Sequence, residues 1–436
     1  MSQTAGFKGI KGIILIVRKS LAQHALSTLI SVLSLALGSG LVMAVFSINQ
    51  QTYSVFTGGQ QGFDGVLGPR GSELQLVLNS VYHLETSPGN IPWSLYQNIK
   101  KDKRVRLAIP YAVGDNYRGY RIVGTVRELF TQHRYRKKPV FKLKSGRLFK
   151  DSGREVILGS YVSEKTGLKA GSTFRPSHGL TKSHDEHHED DHDDHKAHSE
   201  IHTVVGVLEP TNSQSDKVIW SNIDSFYRMG GHVLRGSGSV YTPKEGVAIP
   251  DAHKEVSAVM LKLKSPQFGF FLKQRIRQKE ESATFAWPIG TVMAGFINKI
   301  GWVTKVLTLI SYLIVLVAVA SMLAVIYNSI QERKRHFAIF RSLGARKSGI
   351  FSMIIVESMT ISALGAIAGF AVYMAVFSMA SGIIRSQTGV ALDMFGYSTA
   401  LWVIPAGMIA IGALVGVVPA VRAYSTDVAS NLAPQS

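Results

Sequence analysis

The 436-residue chain contains no cysteine. Disulfides and thiolate metal sites are therefore excluded, and cysteine usage says nothing of the redox compartment. Acidic side chains are scarce: 29 Asp and Glu stand against 48 Lys and Arg, for a formal net charge of +19. No Gly-x-x-x-x-Gly-Lys-Ser/Thr phosphate loop occurs, so the chain lacks a P-loop nucleotide site of its own. No nucleophile stands beside a base in any recognisable pattern, and the chain reads as a non-enzyme.

Charge is also nearly missing from four long stretches. Residues 25–48 hold none. At about 1.5 Å per residue they reach roughly 36 Å, enough to cross a hydrocarbon core of about 30 Å. The run is longer than a signal-peptide core and ends without a small-x-small cleavage site, which favours a retained span. Residues 306–327, 353–379 and 400–421 are three further spans, with Glu357 the single charge among them.

The excess of positive charge invites a nucleic-acid reading, but its placement argues for topology instead. Outside residues 49–300 there are 13 Lys and Arg against 4 Asp and Glu, mostly flanking apolar runs. Lys8, Lys11, Arg18 and Lys19 precede the first span. Arg333, Lys334, Arg335, Arg341, Arg346 and Lys347 lie between the second and third spans, opposed by Glu332 alone. The positive-inside rule puts both clusters in the cytoplasm. Residues 1–24 then form a cytoplasmic segment whose 7–21 stretch is amphipathic, suited to the inner membrane surface. Residues 328–352 form a cytoplasmic connector and 422–436 a cytoplasmic tail. The short loop at 380–399, with Arg385 and Asp393, falls outside.

The predicted fold is an integral membrane α-helical bundle of four transmembrane helices. A large mixed α+β extracytoplasmic domain, residues 49–300, is inserted between the first two. Within that domain 73–81, 107–113, 120–126, 155–158 and 203–208 read as strands, and 93–103 and 160–167 as helices. Basic clusters at 100–106 and 134–138 suit a solvated face, anionic lipid or an acidic partner. The spacings Ser34-x-x-x-Gly38, Gly365-x-x-x-Gly369 and Gly412-x-x-x-Gly416 allow helices to approach closely, within the bundle or against a second copy. Glu357, His24 and His336 read as interfacial side chains.

One insert breaks the domain's pattern. Residues 183–202 carry His184, His187, His188, His192, His195, His198 and His202, interleaved with eight Asp and Glu. The segment is too polar to build a core and reads as a loop at a hairpin tip. Imidazole with carboxylate suits zinc first, then copper or nickel. Nothing preorganises a single ligand set, so no tightly bound cofactor is expected, only zinc at this loop.

The segment Asn328-Ser-Ile-Gln-Glu-Arg-Lys-Arg-His-Phe-Ala-Ile-Phe-Arg-Ser-Leu-Gly-Ala345 resembles the FtsX-like/MacB-like permeases of ABC transporters, in the type without a fused ATPase. The opening 17–30, the closing stretch 416–432, and 146–149, 155–159 and 203–208 are similar to other parts of that family. The resemblance implies four spans, a long loop between the first two, and a subunit of a bacterial inner membrane. It implies as partners a separate ATPase and a second permease copy as a homodimer, with membrane lipids and a periplasmic protein as further contacts and no nucleic acid. ATP-driven motion at the cytoplasmic face would reach the extracytoplasmic domain; the histidine insert, which departs from the family, is what links the system to zinc. The alternative is a non-transporting scaffold that regulates a periplasmic enzyme or extracts lipoproteins. The expected ATPase-docking residues are Glu332, Arg333, Arg335 and Arg341 for charge, and Phe337, Ile339, Phe340 and Leu343 for an apolar face. Gly344 ends that helix in a left-handed cap.

The histidine insert yields a direct expectation. Zinc binds it with modest affinity, more strongly as pH rises through about 6.5, because imidazoles must lose protons to ligate. Removal of residues 183–200 leaves the fold intact. Calorimetry on the full chain in detergent, with and without the insert, checks this; equal zinc heats contradict it.

Overall fold

The computed structural model describes residues 4–58, 62–151, 153–179, 200–229, 234–244, 247–280, 282–342, 347–396 and 398–424. Along the chain run α1 (Thr4–Gln23), α2 (Ala25–Thr57), β1 (Gly65–Pro69), α3 (Glu73–Ser80), β2 (Ile91–Pro92), α4 (Trp93–Lys100), β3 (Val105–Tyr117) and β4 (Tyr120–Thr125). Then follow α5 (Glu128–Thr131), β5 (Arg134–Tyr135), β6 (Lys138–Pro139), β7 (Leu143–Gly146), β8 (Glu155–Leu158), α6 (Ser160–Thr166), β9 (Thr173–Phe174), β10 (Ser177–His178) and β11 (His202–Leu208). The remainder is a 3₁₀ turn (Gln214–Lys217), β12 (Ile219–Asn222), α7 (Ile223–Tyr227), β13 (Glu255–Val256), β14 (Ala258–Leu263), α8 (Gln267–Lys279), β15 (Ala283–Ala286), α9 (Ile289–Ser342), α10 (Lys347–Thr388) and α11 (Ala400–Tyr424). The chain divides into two units: residues 1–51, 300–381 and 393–436, and residues 52–299 with 382–392.

The first unit is helical. Among the described residues, α2, α9, α10 and α11 contain the four segments long and apolar enough to cross a membrane. Its core joins Leu35 of α2, Ala318 and Met322 of α9, Ile354 and Ile361 of α10, and Met408 and Val415 of α11. Trp302, Leu316, Ile367, Trp402 and Leu414 are exposed, as lipid-facing side chains must be. The small-residue spacings are used inside the bundle. A Cβ on Gly369 would lie 2.1 Å from Ser39 Oγ, and one on Gly412 1.9 Å from Ser362 Oγ, so α10 approaches α2 and α11 at hydrogen-only separations. The Ser20 hydroxyl of α1 donates to the Glu357 carboxylate, which is buried. Read from sequence as an interfacial side chain, Glu357 is instead buried, and its bond with Ser20 ties α1 to α10. At the other end of the bundle, Gln51 Nε2 donates to the Asp393 carbonyl at 2.7 Å, and Asp393 N–H donates back to Gln51 Oε1 at 2.9 Å.

The second unit is built on an 11-stranded sheet in the order β15-β1-β14-β3-β4-β12-β8-β11-β7, with β10 added to β3 and β9 to β11. Its pairs are antiparallel except β12 with β4 and β11 with β8. Both faces are covered, and the strands alternate between two cores. Val156 and Leu158 face one core while Ile157 faces the other; Ile219 and Trp220 divide likewise. Helices α4, α7 and α8 close the first core through Tyr96, Phe226 and Leu272. Helices α3 and α5 close the second through Val77 and Phe130. His83, in the loop after α3, is half-buried with its ring edge-on to Trp220, and desolvation with the Arg121 charge pushes its pKa down to about 3. Its imidazole is therefore neutral near pH 7.

One strand expectation fails. Of residues 73–81, Glu73–Ser80 form α3 and Val81 caps it, so no strand is present there. Leu74, Leu76 and Leu78 alternate, but Ser72 accepts from Gln75 N–H as an N-cap, and Leu76, Val77 and Ser80 bury at helical spacing. The Ser72-x-x-Gln75 pair is a capping-box signature that outweighs the period of two.

The spans also lie within longer helices. Helix α2 has 33 residues, α10 has 42 and α9 has 54. Hydropathy registers only what must sit in lipid, whereas a helix continues until a residue stops it.

Candidate functional site

Three of these long helices end or begin inside the second unit, and each is fastened there. Phe56, in the last turn of α2, packs against the core that holds Val77 and Trp220. Its ring stacks on Tyr82 at 5.1 Å, and the Tyr82 hydroxyl donates to the Phe56 carbonyl at 2.6 Å. That bond occupies one of the carbonyls a helix end leaves open. Burial raises the Tyr82 pKa, so the phenol stays a donor.

Helix α9 starts in the same core. Ile289 and Met293 are buried there, and Ile289 N–H donates to the Asp64 carbonyl at 3.2 Å. A Cβ on Gly290 would lie 2.5 Å from the Thr57 carbonyl, so the end of α2 and the start of α9 touch backbone to backbone.

The end of α10 is held by side chains. Lys217 Nζ donates to the carbonyls of Ser386 at 2.7 Å and Gln387 at 2.9 Å. A cation at this position satisfies open carbonyls and meets the negative end of the helix dipole. Desolvation by burial lowers the Lys217 pKa. Lys217 is itself placed by the 3₁₀ turn, which Asp216 organises by accepting from the N–H groups of Thr211 and Asn212. The residue before Ser386, Arg385, donates to Glu164 at 2.8 Å and stacks on the Tyr161 ring at 5.3 Å. Gly389, at φ +80°, closes the helix with its N–H on the Arg385 carbonyl at 2.8 Å. A side chain there would meet both strain and the Lys217 stem at 2.9 Å.

The residues predicted from sequence lie elsewhere. Glu332, Arg333, Arg335, Phe337, Ile339, Phe340 and Arg341 fall within α9, whose backbone runs helical without interruption from the second span to Ser342. Leu343 and Gly344 lie outside the described residues, as do His184, His187, His188, His192, His195 and His198. His202 is buried as the first residue of β11, in register with Phe174 of β9 and 6.1 Å from its ring. The two strands that flank the insert, β9 and β11, do pair as expected. Among the described residues no group of three His, Asp or Glu side chains is placed to hold a metal.

Sequence reasoning missed the fastened ends. An Arg385 followed four residues later by Gly389 is a helix-stop signature that places the end of α10 beyond residue 379. Nothing near Lys217 signals a partner 169 residues away.

The comparisons with known proteins match both units. The MacB-like periplasmic core domain family matches residues 28–259, and the FtsX-like permease C-terminal family matches residues 308–428. The chain belongs to the FtsX-like/MacB-like permease family. Its fold is that family's: four membrane helices with a mixed α/β periplasmic-type domain between the first and second. Among solved structures, the periplasmic region of MacB from Actinobacillus actinomycetemcomitans shares 11% identity at a TM-score of 0.32, covering 55% of this chain and 95% of that one. The extracellular domain of the noncanonic ABC-type transporter YknZ from Gram-positive bacteria shares 12% at 0.29, covering 51% and 98%. No curated protein matched. The family makes the chain a multi-pass membrane subunit of ABC-transporter type.

The Lys217 cap gives a sharp expectation. Lys217→Met leaves two helix-end carbonyls without their cation and costs about 1 kcal/mol, discounted for partial exposure. Hydrogen exchange at the Gly389 and Val390 amides should rise several-fold, and Lys217→Arg should restore most of the protection. Unchanged exchange in Lys217→Met contradicts the assignment.

Proposed function

We propose that this chain is the permease subunit of a mechanotransmission ABC transporter in a bacterial inner membrane. It works as a homodimer with a separate ATPase, and its system handles zinc. The single observation that supports this most is the continuity of α9. One helix of 54 residues begins in the core of the β-rich unit, includes a membrane span and carries the family's charged segment at its far end. At about 1.5 Å per residue it is roughly 80 Å long. A hydrogen-bonded helix of this kind resists bending, so displacement at one end is felt at the other.

The chemistry of each end fits the proposal. Residues 331–347 combine basic side chains with Phe337, Ile339, Phe340 and Leu343, the makings of a helix that seats its apolar side in a partner's cleft. The fastened helix ends in the other unit convert helix movement into domain movement. The insert at 183–202 supplies imidazole and carboxylate in numbers that suit capture of zinc. The chain itself performs no chemistry on ATP.

The docking segment and the insert are tested together. Leu343→Asp puts a charge where an apolar contact is needed and weakens ATPase co-purification by about 2 kcal/mol or more, roughly thirtyfold. Gly344→Val behaves alike, and Arg341→Lys weakens docking by losing its fork. Full ATPase recovery with Leu343→Asp contradicts docking at this segment. ATP turnover by the assembled complex rises with zinc, and this response disappears when residues 183–200 are removed. Zinc-independent turnover favours the regulatory scaffold instead.

A further inference from the structure

The β-rich unit gathers positive charge in one place. A cavity of about 460 Å³ is lined by Arg106, Arg134, Tyr135, Arg136, Lys137 and Lys262. Sequence alone shows two separate basic clusters, at 100–106 and 134–138. The fold joins them: Arg106 comes from β3, Lys262 from the neighbouring β14, and the other four from the β5–β6 hairpin. No acidic side chain lines the cavity among the described residues. Asp64 pairs with Lys262 at 2.8 Å, which leaves the other four cations without a carboxylate among the described residues.

The hairpin is an unusual choice for this position. Arg136 and Lys137 are the two residues between the paired Tyr135 and Lys138, and both have positive φ, 49° and 67°. Turns of this geometry favour Asn-Gly, because a side chain with a Cβ is strained there. Here the two strained positions carry long cations. The hairpin is held from beneath by His133, buried and stacked on Phe63 at 4.0 Å. Arg136 is further held over the Tyr135 ring at 5.4 Å. Strain and like-charge crowding are thus maintained together in a concave site, the arrangement expected where a ligand compensates both.

We propose that this cavity binds a phosphate-type oxyanion, either the phosphate of a lipid headgroup or a soluble phosphate ester. Three guanidinium forks can each present paired N–H donors to phosphate oxygens, and two ammonium groups add point charge. A carboxylate would neutralise one of the four uncompensated cations; a phosphate dianion or pyrophosphate neutralises more in the same volume.

The test uses the full chain in a neutral detergent and two probes, pyrophosphate and dihexanoyl phosphatidic acid, with dihexanoyl phosphatidylcholine as control. Calorimetry should show binding of at least one phosphate probe, weakening as salt rises. Pyrophosphate alone identifies a soluble phosphate group, and the lipid alone or by preference identifies a headgroup. Replacing Arg136→Asn together with Lys137→Gly installs the turn's favoured pair, so the melting temperature without ligand holds or rises. Affinity in that variant should fall about tenfold or more, as two charged donors are lost. Arg134→Gln, which leaves the turn untouched, should weaken binding in the same direction. Absence of binding by both phosphate probes, or equal affinity in all three proteins, overturns the proposal.

Discussion

A backbone in hydrocarbon finds no water to bond with, so each span must close its own hydrogen bonds as a helix. In this chain the same hydrogen-bonded rods continue past the apolar runs. Helix α2 ends on Phe56 under the Tyr82 hydroxyl, α9 begins with Ile289 and Met293 in a β-sheet core, and α10 ends under Lys217. A membrane helix that merely anchored a soluble domain would need a linker and nothing else. Here the helix ends are buried, capped or ion-paired within the domain, so movement of any of them must repack a core or break a cap.

Packing among the helices follows from the same economy of structure. Lipid offers no hydrophobic drive for association, and close contact depends on small side chains. Gly369 against Ser39, and Gly412 against Ser362, give α10 two tight neighbours. The polar pair of Gln51 and the Asp393 backbone adds directional bonds where the helical unit leaves its apolar zone.

How far this was readable from sequence depended on the range of the interaction. The four spans, the strands at 107–113, 120–126, 155–158 and 203–208, and the helices at 93–103 and 160–167 rest on local period and stop signals, and each is found. The α3 error arose where two local signals competed: alternating leucines against a Ser72 cap. The lengths of α2 and α9 were missed because hydropathy is silent on helix outside lipid. The cap on α10 and the basic cavity were invisible for a different reason. Lys217 meets residue 386, and Arg106 shares a cavity with Lys262, only after the sheet has formed. Among the sequence-predicted histidines, His202 shows the limit of composition: it sits in a histidine-rich run, yet strand pairing takes it into the core.

Transmission requires α9 to act as one rod, and the absence of native cysteine makes that accessible to paired spin labels. Labels at Leu84 in the β-rich unit and Trp402 on α11, both exposed, report distance between the two units. In a complex with the proposed ATPase partner, the distance distribution should differ between ADP and vanadate-trapped states. Insertion of three glycines after Gly301 should abolish that difference while ATP turnover continues. The same nucleotide-dependent shift in the interrupted chain would contradict transmission through α9.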